Sequence, residues 1–275
     1  MLIYGMPGIG KSSFGFTAES PLLLDFDGGA HRSAFRQDIV PVGAWSEIAT
    51  ITAEDLKPYK TVVLDTVGRA LDFLSAELIA ENPKLATKAG ALSLQGYGAL
   101  KSAFASWLGR LNSLGLDVIM IAHDKESTNE RDVKIVRPDV TGGSYNEIFK
   151  LADSVGYMYA DGKKRVLDFN PTENYVGKNP AQFDVIEIPD YNREPRFAGR
   201  LIVEIKSALG QLSAEAQKVV TAVNAFRDRM PEIETAEEMT ALLAEVDKLE
   251  EPVKAQCKRV MLDRCNELGL EYDKK

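Results

Sequence analysis

The feature that most limits the fold is a glycine-rich turn at the start of the chain. Residues Gly5, Met6, Pro7, Gly8, Ile9, Gly10, Lys11, Ser12 and Ser13 follow the apolar run Leu2-Ile3-Tyr4 and lead into a helix-forming stretch over 11–18. Glycines at this spacing let successive backbone amides wrap an anion without Cβ clashes, and amides at a helix N-terminus favour negative charge. A strand, such a turn and a helix, in that order, open an alternating α/β chain.

The rest of the first 200 residues keeps that alternation. Apolar runs at 2–5, 21–26, 61–67 and 117–123 read as strands, and their Val, Ile and Leu content without polar alternation suits a parallel sheet covered on both faces. Between them, 70–80 and 97–114 read as helices. After residue 150 the pattern changes. Asp161-Gly162 between two strand-like runs predicts a hairpin, and further strands are expected at 183–188 and 200–205. The expected class is α/β, a mostly parallel central sheet extended by antiparallel strands, with a core over 1–208 and a C-terminal helical extension over 209–275.

In that extension Ser213 can cap one helix and Thr235-Ala236-Glu237-Glu238 is a capping-box pattern for the next. A third helix is expected from Glu251-Pro252 to Gly269. On it Val253, Cys257, Val260, Met261 and Leu268 share a face, so both cysteines read as small packing residues. The net charge of −8 is concentrated here, in Glu232, Glu234, Glu237, Glu238, Glu245, Asp247, Glu250 and Glu251. An acidic chain is a poor general binder of polyanions, because that affinity is mostly counterion release by Lys and Arg. No apolar run is long enough for a membrane span and no signal peptide is expected, so the expected setting is cytoplasmic.

Gly5-x-x-x-x-Gly10-Lys11-Ser12 matches the P-loop pattern. In such a loop the amides of residues 5–13 cradle phosphates, Lys11 gives a point charge to the β- and γ-phosphates, and the Ser12 hydroxyl binds Mg²⁺. A second magnesium ligand is expected at the end of an apolar strand, and Val62-Val63-Leu64-Asp65 supplies it.

Other stretches resemble RecA-type ATPases. Leu22–Gly28, LLLDFDG, looks like the strand that ends in an acid-x-acid turn, whose second acid orients the attacking water. Here that acid is Asp27, where the family usually has Glu. The alternative for Asp27 is an Asp-Gly turn. The run 117–125, DVIMIAHDK, is similar to the strand carrying a γ-phosphate sensor, which would be His123. An isolated histidine can also be a packing residue. Thr141-Gly142-Gly143 with 144–158 resembles the segment closing the second DNA-binding loop, here 124–139, and a first would span 81–96. Both loops read as long, mobile and poorly patterned. Lys178-Asn179 resembles the lysine turn that reaches a neighbouring subunit's nucleotide, although Pro180 replaces its second lysine; otherwise Lys178 is a surface residue.

These matches look most like small phage-encoded, Sak-type single-strand annealing ATPases. The resemblance implies ATP and Mg²⁺ as ligands, Lys11, Asp27, Asp65 and His123 as catalytic groups, and Lys178 acting in trans. It also implies a homo-oligomer on single-stranded DNA in phage recombination, in the host cytoplasm. The helical extension could dock a replication or recombination protein. A nucleotide-switched adaptor and a helicase or loader motor remain the alternatives.

Overall fold

The computed structural model describes residues 1–128, 134–140, 144–210 and 214–270. Its strands are β1 (Leu2–Gly5), β2 (Pro21–Asp25), β3 (Asp38–Pro41), β4 (Thr61–Asp65), β5 (Asp117–Thr128), β6 (Lys134–Pro138), β7 (Val155–Asp161), β8 (Lys164–Asp168) and β9 (Ile186–Glu187). Its helices are α1 (Lys11–Gly15), α2 (Trp45–Ala49), α3 (Ala53–Leu56), α4 (Val67–Glu81), α5 (Leu94–Ser113), α6 (Ser144–Leu151), α7 (Phe197–Ala208), α8 (Ala214–Arg227), α9 (Ala236–Val246) and α10 (Val253–Leu268). The chain divides into two compact units, Met1–Ile205 and Lys206–Lys275.

In the first unit the sheet order is β3-β2-β4-β5-β1-β7-β8-β9, with β6 paired to β5. The β3-to-β7 portion is parallel, and β7-β8-β9 extends it antiparallel, as expected for the fold class. Alternate residues of the central strands fill two separate cores. Leu2, Leu22, Leu24, Val62, Leu64 and Met120 pack in the core that holds α4 and α5 residues. Ile3, Leu23, Val63, Ile119 and Ile121 pack opposite them, with Phe14 of α1 and Phe197, Ala198 and Leu201 of α7. Both faces are dry, which is why these strands read as unbroken apolar runs.

Register sets the site. Gly5 lies beside His123 on one flank and Met158 on the other, while Asp65 lies beside Asp25 and Ile121. The carboxyl ends of β1, β2, β4 and the parallel part of β5 therefore share one edge of the sheet.

Several expectations need correction. Residues 200–205 are helical, within α7, not a strand. Phe197, Ala198, Leu201, Ile202 and Ile205 are its buried residues, a spacing with the period of a helix. The 183–188 strand shrinks to β9, and the 61–67 run stops at Asp65, where Thr66 caps α4 by accepting from the Arg69 amide. The edge strand β3 carries no strand signal, being mostly exposed. Nor is 124–139 a loosely patterned loop: Asp124–Thr128 pairs with Lys134–Pro138 in an antiparallel arm. In 81–96, Asn82 caps a short turn, Ala86 pairs with Leu92, and Ser93 caps α5. Residues 129–133 and 141–143 lie outside the described residues.

The second unit has its own core of Val223, Phe226, Met230, Met239, Leu242, Val246, Cys257, Met261 and Cys265. Thr235 and Glu238 form the reciprocal capping box that the sequence announces. Pro252 stands at the N-cap of α10, and Gly269 closes the helix at φ 67°. Both cysteines are free and buried. Ser213 lies outside the described residues. Among the described residues no helix is long and apolar enough to cross a membrane.

Candidate phosphate-binding site

The loop between β1 and α1 takes the conformations its glycines allow. Gly8 and Gly10 have φ of 79° and 107°, in the left-handed region that penalises a Cβ. At Gly5 the constraint is space as well: a Cβ there would lie 2.1 Å from the Met158 carbonyl oxygen of β7. The tip, Met6-Pro7-Gly8, is exposed.

Lys11 is buried and bends back on the loop, its Nζ donating to the Gly5 and Met6 carbonyls at 2.7 and 2.8 Å. Burial lowers its pKa to about 8, and the nearby Asp65, Asp124 and Asp27 carboxylates oppose that shift. Ser12 Oγ donates to Asp65 Oδ2 at 2.5 Å. Burial raises the Asp65 carboxyl above the usual range, against the bond from Ser12. A hydroxyl and a carboxylate at this distance form an all-oxygen donor pair. That suits Mg²⁺, which takes one or two protein carboxylates beside phosphate oxygens.

The two acids after β2 divide their work. Asp25 accepts from the Gly29 and Ala30 amides at 3.2 and 2.9 Å and so builds the turn. Asp27 instead faces His123, with Nε2 to Oδ2 at 3.6 Å. The adjacent His123 imidazole holds the Asp27 carboxyl below the usual range. A bond from Thr66 and the Arg69 charge add to this, and partial burial opposes it. His123 Nδ1 is buried and has no hydrogen-bond partner among the described residues. Its carbonyl accepts from the Asp139 amide at 2.7 Å, where β5 passes from the sheet into the arm.

Gly5, Met6, Pro7, Gly8, Ile9, Gly10, Lys11, Ser12, Ser13, Asp27, Asp65 and His123 thus gather at one sheet edge. Lys178 does not join them. Its backbone pairs with Val155, which lies beside Leu2 at the other end of β1. Its Nζ donates to the Ala152 carbonyl at 2.9 Å and the Lys150 carbonyl at 3.4 Å, 4.9 Å from the Phe149 ring centre. Sequence reasoning missed Arg165, whose Nη1 donates to the Ile9 carbonyl at 3.4 Å. The hairpin that carries it was legible. Its landing place was not, because that depends on β7 pairing with β1.

The AAA domain family matches residues 1–181. The chain belongs to that family. Its P-loop and strand-end carboxylate lie within this matched portion, and the chain is an AAA-type P-loop ATPase. No curated protein matches the chain. Among solved structures it is similar to a KaiC-like protein from the hyperthermophilic archaeon Pyrococcus horikoshii OT3. The identity is 13%, over 68% of this chain and 88% of that one, with a TM-score of 0.38. Those values are too low to support a shared activity.

Proposed function

We propose that this AAA domain protein binds and hydrolyses Mg·ATP and couples turnover to a grip on single-stranded DNA. Its place would be phage recombination, by annealing or strand exchange. Hydrolysis is supported by the way each group at the sheet edge suits one part of it. Lys11 exchanges two loop carbonyls for phosphate oxygens, and the loop amides fix the remaining oxygens. Ser12 and Asp65 would hold Mg²⁺, which neutralises charge on the phosphates when bound. Asp27, with its lowered pKa, is a weak base and suits orienting the attacking water better than deprotonating it early.

The observation that carries the coupling is the continuity of β5. One strand runs from the sheet through His123 to Lys125, in an arm whose other strand holds Lys134 and Arg137. A phosphate that draws His123 away from Asp27 would also shift the residue to which Asp139 anchors the return strand. In the arm Lys125 pairs with Asp139 and Lys134 with Glu126, and Arg137 lies over Tyr145. DNA phosphates would compete for these cations. Assembly with further copies belongs to this reading. Lys178 could serve a neighbouring site only by leaving the carbonyls it now holds.

The test is steady-state ATP hydrolysis with and without single-stranded DNA, with Lys11→Ala as the control. Turnover should rise with DNA and vanish in the variant. Intact hydrolysis that ignores DNA would remove the nucleic-acid half. A second reading, a nucleotide-switched adaptor, is favoured by the independent core of the second unit. Capture of a recombination protein that needs residues 206–275 but no DNA would select it.

A further inference from the structure

The Asp27 turn and the start of α4 pack together. The Phe26 amide donates to the Asp65 carbonyl at 2.7 Å, which ties the end of β2 to the end of β4. The Phe26 ring packs on Phe73 of α4, with ring centres 5.9 Å apart. Arg69 covers the same Phe73 ring, its guanidinium carbon 5.7 Å from the centre. It stands in the first turn of α4, where its amide donates to Thr66, the residue directly after Asp65. After His123 and Thr66, the Arg69 charge also helps to hold the Asp27 carboxyl below the usual range.

The guanidinium is loosely held. Its ion partner is Asp72, one turn further along α4 at 3.6 Å, and both side chains are about half exposed. Exposed pairs of this kind contribute little, so a stronger anion can take the guanidinium. The sheet edge is rich in acid: Asp65, Asp124 and Asp27 all act on Lys11. Hydrolysis brings further negative charge to it. Lys178, the residue expected to supply a second cation, stands at the other end of β1. Arg69 stands instead beside the acid suited to orienting the water. That water lies in line with the γ-phosphorus, so a cation beside Asp27 is also beside the γ-phosphate oxygens.

We propose that Arg69 is a catalytic residue acting in cis, its guanidinium meeting the γ-phosphate oxygens held by the same chain. The inference rests on the hydrolysis reading above and adds the cation that completes it. In the step, the water oxygen bonds to the γ-phosphorus while the bond from that phosphorus to the β,γ-bridging oxygen breaks. ADP leaves with the electron pair, and the phosphoryl group keeps both water hydrogens as dihydrogen phosphate. Arg69 keeps its protons and offers a planar fork of N–H donors, a geometry that the lysine ammonium lacks.

The test compares steady-state hydrolysis and ATP-binding calorimetry for the unaltered chain, Arg69→Ala and Arg69→Gln. Arg69 is exposed, so melting temperatures should stay close, and glutamine retains a long side chain to lie over Phe73. In both variants kcat should fall by about a thousandfold, the scale of losing such an arginine. ATP affinity should change by less than about threefold, because the contact strengthens only in the transition state. An equal mixture of Arg69→Ala and Lys11→Ala chains should stay inactive, since no molecule in it holds both groups.

A kcat loss below about tenfold in Arg69→Gln, or an affinity loss as large as the kcat loss, would overturn the assignment. Activity regained in the mixture would place Arg69 at a neighbour's site and overturn its action in cis. An unaltered chain that binds ATP without hydrolysing it would instead remove the hydrolysis reading, and this step with it.

Discussion

Strand β1 has two flanks built in different ways. On the β5 side, parallel neighbours bring Asp65, Asp27 and His123 to the loop through strand register. Each of these residues ends an apolar run, so position along the sequence nearly fixes position in the site. On the β7 side, a hairpin, the two-residue strand β9 and a long connection bring Arg165 and Tyr191 to the same loop. The first flank follows from local pattern. The second follows from pairings that join residues far apart in the chain.

The largest test of this contrast is Lys11→Ala. It leaves the β7 flank untouched and should weaken nucleotide binding about a hundredfold, since hydrogen bonds from a charged group contribute about 1.5–3 kcal/mol each. Titration calorimetry would show it. A loss below tenfold would mean that the β7 flank carries more of the ligand than the loop does.

Next is Gly5→Ala, which strikes the seam between the flanks. Its Cβ meets the Met158 carbonyl, and such overpacking costs about 1–3 kcal/mol, so the melting temperature should fall. Gly8→Ala, with nothing within 4 Å of its Cβ, should cost about 1 kcal/mol, from its left-handed φ alone. Equal losses would show that β1 and β7 can separate slightly without penalty.

A smaller effect follows from the Lys11 pKa of about 8. Phosphate raises that pKa, because it favours the charged amine. Above about pH 8 the empty chain has lost a proton that the complex must take up. Affinity should then fall by up to about tenfold per pH unit, the linkage limit for one proton. Calorimetry in buffers of different ionisation enthalpy should show proton uptake, absent in Lys11→Ala. Smallest is Thr235→Ala in the second unit, which removes a cap worth about 1 kcal/mol. Thermal unfolding would register the loss, and nucleotide affinity should not change.

Legibility follows the same division. The glycine loop, Asp65 and the central strands were readable because buried parallel strands and phosphate loops admit few residue types. Residues 200–205 misled because Leu201-Ile202-Val203 is apolar enough for a strand, and only the wider spacing from Phe197 to Ile205 reveals a helix. The arm misled differently. Polar residues such as Lys125, Glu126 and Lys134 carry no strand signal, yet pair because β5 continues past the sheet. Arg165 gave no signal at all, since nothing local marks a residue whose partner lies more than a hundred positions away.

One tie made by α7 bears on how the chain can be shortened. The Ala198 amide donates to Thr17 Oγ1 at 2.9 Å and the Gly199 amide to the Thr17 carbonyl at 3.2 Å, just past the end of α1. The residues that begin α7 thus also brace the helix behind the glycine-rich loop. A truncation that ends before Phe197 would leave that helix end without its support, so a minimal fragment that keeps the loop intact has to extend past Gly199.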